Sequence, residues 1–365
     1  MNAHPYRGLP PTRFWRGAVG GVAPEAFDPV TSLPFSIGPS DRVAAAGSCF
    51  AQHIARNLVA AGFHFLRTEA AAGFSAASAA DFSVASAADF SAASAADFSA
   101  AFGNIYTARQ LHQLMLRAYA LMRPVDSAWR RPDGRWVDPF RPQILEAESA
   151  AVIVAAREAH LATVRDMFEQ CDVFIFTLGL TEAWLAADGA ALPVPPGVLG
   201  VTEGASPAGF HNFTLDEITS DLENFLVDLA HVNPAARVVL TVSPVALAAT
   251  YEDRHVLVSN TLSKATLRLA AEAVRARHDR VCYFPSYEII TAPQNLASSL
   301  EPDLRSVGPE GVARVMAVFN RRMLGEGGPL PLPPPAQSIP EISAEQRAEF
   351  EARAKVICDE ELLVP

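Results

Sequence analysis

At 365 residues the chain can hold one large α/β domain with additions, or two domains, and with half its residues hydrophobic against 19% charged it can bury a sizeable core. The formal net charge is −11, and lysines and arginines are scattered without a basic run, which argues against a nucleic-acid surface. There is no apolar stretch of membrane-span length, no apolar core in the segment Met1–Arg7 and no metal spacing among Cys49, Cys171, Cys282 and Cys358; the expectation is a soluble cytoplasmic protein with reduced thiols and no metal or cofactor.

Residues 1–40 are rich in Pro, Gly and aromatics and lack periodicity, which predicts an arm on the domain surface. An apolar run then ends in Gly47-Ser48-Cys49, and a helical pattern starts at once through Gln52-His53-Ile54-Ala55-Arg56-Asn57-Leu58. This reads as strand, tight turn and helix. Such a turn presents small nucleophilic side chains at a strand end and aims the helix's first N–H groups at whatever binds there.

Phe74, Phe82, Phe90 and Phe98 recur every eight residues in Phe-Ser-x-Ala-Ser-Ala-Ala-Asp units over 74–101. That period fits neither helix nor strand, so a poorly ordered surface insertion is expected, with a docking strip of phenylalanines as the alternative. Thr107 to Met122 reads as a helix capped by Thr107. Residues 124–145 read as loops or short hairpin strands, and Ser149 to Gln170 as a second helix. Cys171 to Leu178 is apolar on both faces, as in a buried parallel strand, and Cys171 and Cys282 read as small buried hydrophobes.

Residues 186–214 form a Gly/Pro-rich excursion. Helices over Leu215–Asn233, Ser259–His278 and Pro309–Leu324 alternate with strands at Ala236–Val242 and within Val281–Ile290. A Pro-rich linker at 327–341 and a charged helix at 343–362 close the chain. Alternating strands and helices argue a doubly wound parallel sheet, whose ligands bind beyond the carboxyl ends of the strands.

Ala46-Gly47-Ser48-Cys49-Phe50-Ala51 resembles the signature of the GSCFA proteins, a bacterial group placed near the SGNH/GDSL hydrolases. Gly103-Asn104-Ile105-Tyr106-Thr107, Thr177-Leu178-Gly179-Leu180-Thr181-Glu182-Ala183-Trp184, Thr241-Val242-Ser243-Pro244 and Tyr283-Phe284-Pro285-Ser286-Tyr287-Glu288-Ile289 extend the likeness from about residue 40 to 325. The resemblance implies a three-layer α/β/α sandwich of SGNH (flavodoxin-like) type over 41–325, an N-terminal arm over 1–40 and a C-terminal tail over 326–365. Cys49 then holds the place of the serine in a Gly-Asp-Ser elbow, and Ser48 that of the aspartate.

Acyl transfer needs a nucleophile, a base and oxyanion donors. Cys49 at a helix N-terminus, where the dipole favours its thiolate, or Ser48 supplies the nucleophile. By the resemblance, the Gly103 N–H contributes to an oxyanion hole, Asn104 adds a donor, and Thr181, after Gly179, replaces an asparagine. Glu182 is a candidate base or orienting carboxylate, or else an acid near a helix start.

The chain departs from the pattern at Asp303-Leu304-Arg305-Ser306, where Asp-x-x-His is expected, so the usual base is serine. His53, His211 and His255 are the substitutes, with His255 first because Arg254, Asn260 and Lys264 cluster near it. Glu288, at the end of a strand, is a further orienting candidate. The expected activity is that of an esterase or O-acyltransferase on an acylated small molecule or glycan. The alternative is a non-catalytic binding protein on a decayed hydrolase scaffold. Oligomeric state is left open.

Overall fold

The computed structural model describes residues 5–69 and 98–325. The linker, the terminal helix and all but the end of the Phe repeat lie outside the described residues. The strands β1 (Val43–Gly47), β5 (Val173–Leu178), β9 (Arg237–Val242) and β10 (Val281–Tyr283) form a four-stranded parallel sheet in the order β1-β5-β9-β10. They are buried on both faces, which is why they read as continuous apolar runs.

Strand periodicity assigns the side chains to two layers. Ala44, Ala46, Phe174, Phe176, Leu178, Val238 and Leu240 face one core. That core is covered by α2 (Ala108–Ala118), α3 (Ala150–Gln170), α4 (Leu215–Val232) and α5 (Val256–Arg275). Val43, Ala45, Val173, Ile175, Val239 and Cys282 face the other, under α1 (Phe50–Ala60), α6 (Ser286–Thr291) and α8 (Pro309–Met323). Between α6 and α8 lies the single turn α7 (Leu296–Ser299). The molecule is therefore an α/β fold with the expected three-layer α/β/α sandwich.

Local signals explain several boundaries. Thr107 and Thr214 each make a complete capping box, with Gln110 and Glu217, at the starts of α2 and α4. The helix expected to reach Met122 stops at Ala118, and Ala120 follows with φ 58°. The strand expected within Val281–Ile290 spans Val281–Tyr283, after which Ser286–Thr291 is helical, so Glu288 lies on α6 and not at a strand end. The excursion 186–214 holds β7 (Ala191–Leu192) and β8 (Gly209–Asn212), both antiparallel to β6 (Glu182–Leu185). The hairpin of β2 (Trp129–Arg130) and β3 (Trp136–Val137) continues to β4 (Glu146–Ala147).

The described end of the Phe repeat is built into the core. Phe98 is buried edge-on against Phe102, and Ser99 Oγ accepts from the Ala45 N–H of β1 at 2.9 Å. On the other side of the insertion, Thr68 N–H donates to the Ser99 carbonyl and Glu69 accepts from the Ala101 N–H. The two ends of the insertion are thus fastened together. Burial alone would raise the Glu69 pKa, but His160 at 2.6 Å and the Arg141 charge outweigh it and hold it at about 2. Burial, reinforced by Arg141, pushes His160 down to about 4 against the opposing pull of Glu69.

A histidine with a lowered folded pKa contributes stability that is complete above its unfolded value of 6.5 and is lost as pH falls towards 4. Denaturant unfolding between pH 7 and pH 4 is expected to show a loss of roughly 3 kcal/mol from His160, and a His160→Gln variant is expected to flatten that part of the slope.

Candidate functional site

The elbow is made by a close approach of backbones. Gly47 has φ 146°, and a Cβ there would lie 2.6 Å from the Thr177 carbonyl oxygen of β5. Only glycine lets β1 run so near its neighbour. Its carbonyl accepts from the Ile105 N–H at 2.8 Å, and the next N–H, of Ser48, donates to the Thr177 carbonyl at 3.1 Å. Cys49 adopts helical angles at once and is the N-cap of α1. The elbow is thereby clamped between β5 and the segment 103–107.

Gly179 closes the third side. A Cβ on it would stand 3.1 Å from Ser48 Cβ and equally close to Tyr106. Its N–H donates to the Tyr106 carbonyl at 2.9 Å, and its carbonyl accepts from Lys264 Nζ at 2.6 Å. Asn104 Oδ1 accepts from Gln52 Nε2 on α1 at 3.3 Å, which sets Asn104 beside the first turn after Cys49. Ser48, Cys49, Asn104 and Gly179 therefore lie together around one turn.

Ser48 is 2% exposed and Cys49 5%. Ser48 Oγ and the neighbouring Thr177 Oγ1 have no hydrogen-bond partner among the described residues. Leaving a buried hydroxyl unpaired costs about 1–3 kcal/mol, so its retention at a strand end calls for a reason. Gly103, with φ 73°, lines a small crevice together with Asn104, Phe140, Arg141 and Ile144.

The other candidates are engaged elsewhere. Thr181 N–H donates to Ser263 Oγ and its carbonyl accepts from Phe213. Glu182 accepts from Thr250 Oγ1 at 2.6 Å and from the Tyr251 N–H at 3.0 Å. His255 is exposed, and its Nδ1 caps α5 by accepting from the Leu257 N–H. His211 pairs with Glu217 at 2.8 Å. His53 is half-buried on α1 against Phe50, and burial, followed by the Arg56 charge, pushes it down to about 4.

Asp303 closes its own exposed turn, accepting from the N–H groups of Arg305 and Ser306 and from Ser306 Oγ at 2.6 Å. Its partial burial opposes ionisation, but these bonds prevail and hold the carboxyl below its ordinary range. Glu288 binds Arg268 and the Tyr283 hydroxyl. The cluster anticipated around His255 is divided: Arg254 pairs with Glu252, Asn260 accepts from Leu247 N–H, and only Lys264 reaches the sheet edge.

A strap lies beside the elbow. Leu247 packs with Tyr106 and Leu180, and the residues after it are tied down by Glu182 and, through Glu252, by Asn212. Tyr251, 69% exposed, packs edge-on against Trp184 and tilted against Phe210. Among the described residues no group of three His, Cys, Asp or Glu could hold a metal, and no helix is long and apolar enough to cross a membrane.

With this geometry in view, the comparison with known families is decisive. The sequence profile of the GSCFA family matches residues 42–319. The chain belongs to the GSCFA family. A search of curated proteins returns no match. The GSCFA signature itself thus marks the strand end, the elbow and the first turn of α1.

Lys264, one of several polar residues near His255 in sequence, shares the core-facing stripe of α5 with Leu267, Ala271 and Val274. A lysine on an apolar helix face was the available signal. Glu182→Ala is expected to release the strap: amide exchange at Tyr251 should quicken clearly, with about 1–2 kcal/mol of stability lost.

Proposed function

We propose that this GSCFA protein carries out acyl-ester chemistry, as an esterase or O-acyltransferase, with the elbow pair Ser48–Cys49 supplying the nucleophile. One observation carries the reading: a thiol and an unpaired hydroxyl are held at the head of α1, at the carboxyl edge of the parallel sheet, against a glycine. Cys49 is the preferred nucleophile. A thiol at a helix N-terminus is activated by the dipole and depends less on a strong base than a serine does. The Asp303–Ser306 turn holds no imidazole, and the exposed His255 spends its Nδ1 on its own helix.

In this reading the acyl carbonyl is attacked by the Cys49 sulfur, and the negative oxygen that develops is met by elbow N–H groups, by Gly103 and by the Asn104 amide. Collapse of that intermediate breaks the ester C–O bond, the alcohol leaves with a proton taken from solvent, and the Cys49 thioester is then cleaved by water or by an acceptor hydroxyl, which returns the thiol. The substrate class is an acylated small molecule or glycan, handled by a bacterial cytoplasmic protein without a nucleic-acid partner. Ser48 and Cys49 are nearly closed to solvent, so substrate entry requires a neighbouring segment to move.

A second reading, a binding protein on a hydrolase scaffold, draws on that same closure and on the use of Glu182 to latch the strap. Nitrophenol release from a short-chain nitrophenyl ester, with intact-protein mass recorded in parallel, separates the two. Wild type is expected to turn over and show an acyl adduct. Cys49→Ala is expected to lose both, by 10²-fold or more as an order of magnitude, with an unchanged melting curve. Ser48→Ala is expected to keep the adduct. Neither turnover nor adduct in wild type would move the assignment to the binding reading.

A further inference from the structure

Lys264 is 2% exposed, and lysines are almost never fully buried unless paired. Burying an ammonium costs several kcal/mol in effective terms, so a lysine held here is placed by specific contacts. The helix α5 carries it between Ser263 and Leu267 on its core face. From there Nζ donates to the Gly179 carbonyl at 2.6 Å, within the short range of charge-assisted bonds. Its neighbour Ser263 accepts from Thr181 N–H, so two adjacent residues of α5 grip both ends of the segment 179–181. Gly179 in turn packs directly against Ser48. One residue therefore separates the lysine from the elbow.

We propose that Lys264 is a positioning residue for the elbow. Acting through Gly179, it fixes the strand end against which Ser48 and Cys49 sit, and its charge favours an anionic nucleophile and the developing oxyanion. This rests on the acyl-transfer reading and adds a residue to it. The surrounding elements contribute other ionisable groups: His53 and Arg56 on α1, Tyr106 on the 103–107 segment, and Glu182 on β6, which is engaged by Thr250 and Tyr251. Lys264 joins a cationic side chain to the residue packed against Ser48.

The test uses the full chain with Lys264→Gln, which keeps an N–H donor without charge, Lys264→Met, which removes both, and Lys264→Arg, which keeps charge and donors. Alkylation of Cys49 by iodoacetamide is followed against pH by peptide mass. Burial pushes Cys171 and Cys282 up to about 12, so their peptides serve as internal controls. In Lys264→Gln and Lys264→Met the pH of half-maximal alkylation is expected to rise by about one unit or more, and Lys264→Arg to bring it back towards wild type. Ester turnover, run in parallel, is expected to fall about 10²-fold in kcat for Lys264→Gln with little change in KM.

Identical pH profiles in all four proteins overturn the proposal, whatever the ester assay shows. A shifted profile with no turnover in wild type supports the placement of the Lys264 charge and sinks the acyl-transfer reading, so the two failures are distinguishable. If Lys264→Met does not melt cooperatively, Lys264→Gln carries the comparison.

Discussion

The approach of Gly47 to Thr177 is the contact from which the candidate site follows. At this point β1 and β5 come so close that a side chain on residue 47 would enter the Thr177 backbone. The same two residues are opposite each other in the strand register. Because they meet there, the Ser48 N–H reaches the Thr177 carbonyl and the Ile105 N–H reaches the Gly47 carbonyl. Three segments distant in sequence are thereby locked around one turn, and α1 starts directly after Cys49. Widening that approach would loosen the elbow, the 103–107 segment and the Gly179 contact together, since each borrows its position from the other two.

Around that turn, the groups that ordinarily perform acid–base work are spent on structure. Glu182 latches a loop, Asp303 ties its own turn, His255 caps a helix and His211 answers Glu217. What remains at the sheet edge is a thiol, an unpaired hydroxyl and a buried lysine. A thiol needs its anion favoured more than it needs a proton acceptor, and a helix N-terminus with a cation one residue away offers that. The chemistry proposed for the site fits a turn at Asp303–Ser306 that carries no histidine, where a serine nucleophile would be hard to activate.

The insertion after Glu69 shows how the scaffold tolerates added sequence. Glu69, His160 and Arg141 form a buried cluster, extended by Asp138 and Arg157, that holds the Ala101 backbone after the insertion. Thr68 and Ser99 complete the closure. Ends held this near to each other let length vary between them at small entropic cost. Phe98 is the last member of a repeat, and its burial against Phe102 is not legible in the sequence because an eight-residue period says nothing about which copy meets the core.

The sequence by itself determined the layers of the fold and the position of the elbow. Both are written in local patterns: apolar runs buried on two faces, capping boxes at Thr107 and Thr214, and Gly-Ser-Cys between a strand and a helix. It also located the ends of α3, α4 and α8 to within a residue or so. The tertiary structure alone decided the partners. Whether Glu182 is a base or a latch depends on where residues 250 and 251 fold back, and whether Lys264 or His255 reaches the sheet edge depends on how α5 is rotated against β5 and β9. Side chains find their partners across long loops, and a hydrogen bond between residues 85 apart, such as Lys264 to Gly179, leaves no periodic trace in the chain.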